Sequence, residues 1–149
     1  MEYIARLATD RSRTIITFPD CPGCETFVEP AEDIESIARE ALEGWLEAHL
    51  KEGVAPPMPD PLRKSRGARS TEVVSVAIDP TLALRLELRW ARQERGLSQG
   101  QLAKLTGVTR QQISQLESPD TNPTLATLHK VASALGMDVQ ITLRPKSAA

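Results

Sequence analysis

Large aromatic side chains are scarce in this 149-residue chain: two Phe, two Trp and one Tyr make up 3% of it. So few bulky anchors exclude a large aromatic core and favour small packed units. Cysteine is scarce too, and two residues cannot build the disulfide framework of a small secreted domain. No apolar run approaches the roughly 20 residues that a membrane-spanning helix needs. The start, MEYIARLATD, lacks the basic, then apolar, then small-residue order of a secretory signal. At 40% apolar residues, the chain is still too hydrophobic for a disordered tail. A soluble cytoplasmic protein is expected, with no membrane partner.

An excess of base, the usual mark of a nucleic-acid binder, is also missing. Lys and Arg total 18 against 20 Asp and Glu, for a formal charge of −2. The distribution reverses that inference. Residues 1–53 carry five basic and twelve acidic side chains, a net of −7, whereas residues 54–149 carry thirteen and eight, a net of +5. Between the halves, Val54 to Pro61 holds four prolines, which fix φ and remove donors, so neither helix nor central strand runs through it. Arg63, Lys64, Arg66 and Arg69 follow without an apolar period. The expected organisation is an acidic domain over 1–53, a stiff then flexible linker over 54–71, and a basic domain over 72–149.

In the acidic half, residues 3–8 and the β-branched stretch Thr14–Phe18 read as strands around a turn at Arg11 to Arg13, and Glu25–Val28 as a third. From Ile34 the apolar period changes to that of a helix. Ile34, Ile37, Ala38, Ala41, Leu42, Trp45, Leu46 and Leu50 form one stripe, with Gly53 as the stop. Cys21-Pro-Gly-Cys24 has the CxxC spacing of redox sites and zinc ligands. A structural zinc needs further ligands, and the remaining candidates, His49 and His129, lie far along the sequence. A redox pair belongs at the start of a helix, yet the long helix begins well after Cys24. These cysteines therefore read as turn residues, with no metal and no catalytic role, and both histidines as structural.

The basic half opens with a strand over 72–78 and then divides into short helices, each with its own start and stop. Pro80 begins the first and Gly96 ends it; Ser98, Thr109 and Thr124 cap the next three, and Gly107 and Gly136 stop two of them. Two helices joined by the short turn Gly107-Val108 define a helix-turn-helix, with Ala103 small at the crossing and Val108 and Ile113 filling the wedge. The second helix turns Ile113 and Leu116 inward. Its outward face offers Arg110, Gln111, Gln112, Ser114 and Gln115. Guanidinium and carboxamide groups read base edges bidentately in a major groove, so Arg110, Gln111 and Gln115 are the candidates for bases. Gln99, Thr109, Asn122 and Thr124 are placed for backbone phosphates. Beyond Gly136, Val139, Ile141 and Leu143 alternate as a strand over 138–143. A lone strand needs a mate, either the 73–78 strand or its equivalent in a second copy. The fold class expected is α+β: a small three- to four-stranded sheet with a packed helix, followed by an all-α helix-turn-helix domain with a C-terminal strand.

Phe18 to Cys24, the Ile37–Leu46 helix segment and the Lys51 to Pro61 region together resemble the HicB antitoxin family. Leu97 through Glu117, with Asn122-Pro-Thr-Leu125, resembles the repressor-type (XRE/Cro-like) helix-turn-helix at the C-terminus of many HicB proteins. The chain departs from the family at Cys21, where Leu is usual, and over Glu25 to Ala31, which lacks the usual Gly and Ser or Thr cap. The resemblance implies an N-terminal fold like a partial ribonuclease H or double-stranded-RNA-binding sheet; no carboxylates pair at a catalytic spacing to revive an activity, and no catalytic residue or cofactor is expected. It further implies an antitoxin of a type II module that binds a HicA-like ribonuclease toxin and represses its own operon at operator DNA. Gln99, Thr109, Arg110, Gln111, Gln112, Ser114, Gln115, Asn122 and Thr124 occupy the positions that face DNA in that family. A dimer through the C-terminal domain, or a tetramer, would set two recognition helices on a palindrome. The alternatives from other classes are a transcription regulator whose N-terminal sheet senses a small molecule without any toxin, and a residual nuclease or thiol-redox enzyme.

Overall fold

A computed structural model describes residues 1–60, 62 and 72–142. Strand β1 (Glu2–Asp10) turns at Arg11, whose φ of 56° reverses the chain into β2 (Arg13–Thr17), and β3 (Glu25–Val28) pairs on the far side of β2. Helix α1 (Ile34–Lys51) follows, its start capped by Asp33, which accepts from the Glu35 N–H at 3.3 Å. Strand β4 (Glu72–Ala77) then returns to pair antiparallel with β1, giving the order β3-β2-β1-β4. Tyr3, Ala5 and Leu7 share one face of β1, in register with Val76 of β4 and Ile16 of β2, and Ile4 on the other face is buried too. The apolar stripe of α1 is buried at Ala38, Leu42, Leu46 and Leu50, and the helix lies against β3 and β4. Period-two burial on the strands meets period-3.6 burial on the helix, as a two-layer α+β unit requires.

The second part is helical: α2 (Pro80–Glu94), α3 (Gln99–Thr106), α4 (Arg110–Leu116) and α5 (Leu125–Ala134). Its core draws on Leu102, Ala103, Ile113, Leu116, Leu128, Val131 and Leu135. The chain forms two compact units, Met1–Glu87 and Leu88 onward, and the division falls inside α2.

Three expectations need correction. The strand at 72–77, assigned to the second domain by sequence order, is a hydrogen-bonded member of the first unit's sheet. Its β-branched residues complete an edge that β1 would otherwise leave open. The first unit therefore extends well past residue 53. The proline-rich stretch is likewise no free spacer over its described part. Pro56 is buried, the Tyr3 hydroxyl donates to the Pro57 carbonyl at 3.1 Å, and the Asp60 N–H donates to Asp20 Oδ2 at 3.1 Å. Finally, no strand forms from Asp138 to Thr142, and Leu143 lies outside the described residues. A strand is held only by a mate, and the second copy expected as one is a separate chain. The basic cluster Arg63, Lys64, Arg66 and Arg69 also lies outside the described residues.

The CxxC segment forms the tight turn its residues specify. Cys21 N–H donates to the Phe18 carbonyl and Cys24 N–H to the Cys21 carbonyl, both at 2.9 Å, and Gly23 supplies a φ of 85°. Both thiols are free and buried, and Cys24 Sγ sits 3.8 Å from the Ala41 carbonyl. Burial, with Cys24 and Asp20 adding, pushes the Cys21 thiol up to about 12; burial alone pushes Cys24 to about 11. Such thiols stay protonated at neutral pH and make poor nucleophiles. Among the described residues, no three His, Cys, Asp or Glu side chains group where they could hold a metal. Nor is any described helix long and apolar enough to cross a membrane.

Candidate nucleic-acid interface

The helix-turn-helix is assembled from two reciprocal caps and one left-handed glycine. Ser98 accepts from the Gln101 N–H while Gln101 returns its side-chain oxygen to the Ser98 N–H at 2.8 Å. Thr109 and Gln112 repeat the arrangement at the start of α4, at 3.1 and 2.9 Å. Each box satisfies two amides that the first helical turn leaves without partners. Gly107 ends α3 at φ 65°, a conformation that costs an L-residue energy and costs glycine little. Ala103, Ile113 and Leu116 are buried and Val108 half-buried, so the helices close on the wedge their sequence offers.

With Ile113 and Leu116 inside, the other face of α4 is exposed at Arg110, Gln111, Gln112, Ser114 and Gln115. That face carries one guanidinium, three carboxamides and a hydroxyl, a mixture of donors and acceptors able to match base edges. Thr109, Asn122 and Thr124 are exposed and Gln99 is half-buried. Several candidate side chains are partly engaged within the chain, Thr109 in its capping box among them. Gln112 Oε1 accepts the Thr109 N–H, leaving its NH2 group outside the box, and Thr124 Oγ1 caps α5 by accepting from the Thr127 N–H at 3.3 Å. Gln112, Gln115, Asn122 and Thr124 come together along a groove of about 150 Å3 that is also lined by Thr121, Pro123 and Thr127. Thr121 holds that loop to α4 by donating to the Gln115 carbonyl. Sequence reasoning missed Thr121 and Thr127, although the spacing of Thr124 and Thr127 on one helical turn carries the signal.

The buried polar core beneath α4 was missed as well. Glu117, the C-cap of α4, is 3% exposed, and its carboxylate receives Arg92 Nε at 2.5 Å and Arg92 Nη2 at 2.8 Å. Arg92 Nη1 also donates to the Leu97 carbonyl at 2.7 Å. Arg89 Nε lies 4.0 Å from the same carboxylate. Burial lowers the Arg89 pKa from its usual value, the Glu117 charge opposes that shift and the Arg92 charge adds to it. Gln99, expected to face phosphate alone, donates through Nε2 to Glu117 Oε2 at 3.1 Å.

A short helix-turn-helix with a polar outer face, joined to a four-stranded α+β unit, defines a two-part DNA-binding regulator. Residues 3–92 match the family described as the HicB-like antitoxin of bacterial toxin–antitoxin systems, and the chain belongs to that family. Residues 88–141 match the helix-turn-helix family. An uncharacterized HTH-type transcriptional regulator of Haemophilus influenzae is 44% identical over 68 residues, covering 45% of this chain and 69% of that protein. The HTH-type transcriptional regulator SutR of Escherichia coli K12 is 37% identical over 62 residues, 42% of this chain but only 35% of SutR. Among solved structures, a chain of a HicA3 and HicB3 toxin-antitoxin complex is 30% identical, with a TM-score of 0.47 over 54% of this chain and all of that one. A chain of a HipA-HipB-O2-O3 complex is 28% identical, with a TM-score of 0.40 over 46% of this chain and 97% of that one.

Proposed function

We propose that this chain is the antitoxin of a HicA/HicB-like module. Its first unit neutralises a small RNA-cleaving toxin by direct binding, and its helix-turn-helix represses the module's own operon. The observation that carries the DNA half is the outer face of α4, polar at every exposed position above a buried apolar side and locked at its start by the Thr109 box. Family membership over residues 3–92 and the acidic balance of residues 1–53 support a basic toxin as the other partner. In this reading Arg110, Gln111 and Gln115 contact base edges, with Gln112 and Ser114 completing the face. Gln99, Thr109, Asn122 and Thr124 hold phosphates. The protein acts in the cytoplasm as a dimer, so that two copies of α4 meet successive major grooves.

One pair of variants separates the two activities. Replacing Arg110 with Ala should cost about 1–3 kcal/mol of discrimination between operator and random duplex, read by fluorescence anisotropy across a salt series. Where a short basic reading frame lies next to the gene, the same variant should still restore growth to cells expressing it; absence of such a frame favours a regulator without a toxin. Equal operator preference in Arg110→Ala and wild type overturns the base contact. Failure of the wild-type chain to restore growth or to co-elute with that small product favours a regulator without a toxin.

A further inference from the structure

Resting on the DNA-binding reading above, we propose that Glu117 is a positioning residue for DNA contact. It holds the Gln99 carboxamide so that its nitrogen spans from a buried carboxylate to a backbone phosphate. Gln99 is the first residue of α3 and Glu117 the residue that closes α4, so their hydrogen bond joins the outer ends of the two helices. A carboxylate only accepts, which requires Nε2 rather than Oε1 of Gln99 to face Glu117. That nitrogen carries a second hydrogen. Gln99 is half-buried and its bond to Glu117 is only partly buried, so the site is not sealed from solvent. A phosphate oxygen is also a pure acceptor, so the hydrogen left over suits it without any turning of the amide.

The carboxylate can do this because its two oxygens are divided among several donors. Oε1 takes Arg92 Nε at 2.5 Å, while Oε2 takes Arg92 Nη2 at 2.8 Å and Gln99 Nε2 at 3.1 Å. The same guanidinium holds the Leu97 carbonyl, one residue before the cap of α3. Arg92 therefore fixes the backbone entering α3, and Glu117 fixes the first side chain of that helix. A long, rotamer-rich side chain at a helix start is otherwise free to sample several rotamers, and ordering it on DNA would cost binding free energy. Here it is ordered beforehand.

An amide at position 117 cannot substitute. It offers one oxygen and an NH2 group where three donors converge, so serving Arg92 turns a donor towards Gln99 or the reverse. Glu117→Gln keeps the shape, and where its one oxygen stays with Arg92 it releases Gln99; the urea midpoint of the variant shows that the second unit is still folded when binding is read. A phosphate contact is independent of sequence, so the probe is a fluorescein-labelled mixed-sequence duplex of about two helical turns at low salt. Gln99→Ala and Glu117→Gln should each weaken binding by about five- to tenfold, the worth of one ordinary hydrogen bond. The double variant should be no weaker than Gln99→Ala alone. A merely structural Glu117 gives the opposite pattern, with the Glu117→Gln loss undiminished when Gln99 is already Ala, and that result overturns the proposal.

A second readout needs no DNA. One side-chain amide proton of Gln99 should be shifted downfield and protected from exchange in wild-type NMR spectra, and should lose both properties in Glu117→Gln. A freely exchanging Gln99 amide in wild type also overturns the proposal. If that proton is protected but wild-type protein binds no duplex, the DNA-binding reading is what fails.

Discussion

The two units treat buried titratable groups in opposite ways. In the first, Tyr3, Cys21 and Cys24 are buried neutral, and burial raises the pKa of each. In the second, Arg92 and Glu117 are buried as a charged pair, 7% and 3% exposed, with Arg89 beside them. Neutral groups give up little solvation on burial but are sensitive to alkali. In a buried ion pair the two members instead depend on each other, because removing one strands the other's charge away from water. The scarcity of aromatics makes both solutions understandable. Units this small close a core with whatever crosses it, and in the second unit part of that material is ionic.

The largest expected effect tests the ionic side. Glu117→Ala strands Arg92 without its carboxylate and should destabilise the second unit by about 3–5 kcal/mol, read by urea denaturation. A loss below about 1 kcal/mol would place that pair with ordinary surface bridges. The neutral side is tested by alkali. The thiols ordinarily titrate near 9.0 and are raised in the folded chain, so the folded state binds more protons above that point. Their contribution is complete below pH 9 and is lost as pH rises through about 11 and 12. The urea midpoint of the first unit should fall across that window, and replacing Cys21 with Ala should flatten the fall. A slope unchanged in that variant would remove Cys21 from the account.

Smaller effects separate scaffold from surface. Thr109→Ala removes the acceptor of one capping box and should cost about 1 kcal/mol of thermal stability. Arg110→Ala, on the exposed face beside it, should leave stability within about 0.5 kcal/mol while reducing operator preference. Equal loss of stability in both variants would mean that the face of α4 is part of the scaffold.

Local signals were the legible ones. Ser98, Thr109 and Thr124 cap the helices as their residue types imply, Gly107 takes the left-handed turn, and the α1 stripe is buried at its central positions. The outward residues of α4 were legible for the same reason, since a 3.6 period with two buried positions fixes the rest. What sequence order concealed was pairing at a distance. β4 follows a proline-rich stretch, so it reads as the opening of a new domain, and only the register with β1 assigns it to the old one. Buried charge was not legible either. Arg85, Arg89 and Arg92 recur at helical spacing on α2 and look like a solvated face, yet all three are buried. The recurrence of Arg89 and Arg92 one helical turn apart was the available clue to the cations that meet Glu117. The groove residues Thr121 and Thr127 escaped because hydroxyls near a cap look like capping alone.

The pairing of β4 with β1 also bears on how this molecule is dismantled. By covalent order β4 leads into the helical part, but by hydrogen bonding it belongs to the strand that begins the chain, through six cross-strand pairs from Glu2↔Ala77 to Leu7↔Glu72. A protease that severed the chain between Leu62 and Glu72 would not liberate the two portions. The fragments would stay together by strand complementation, and the sheet itself would have to unfold before they separated.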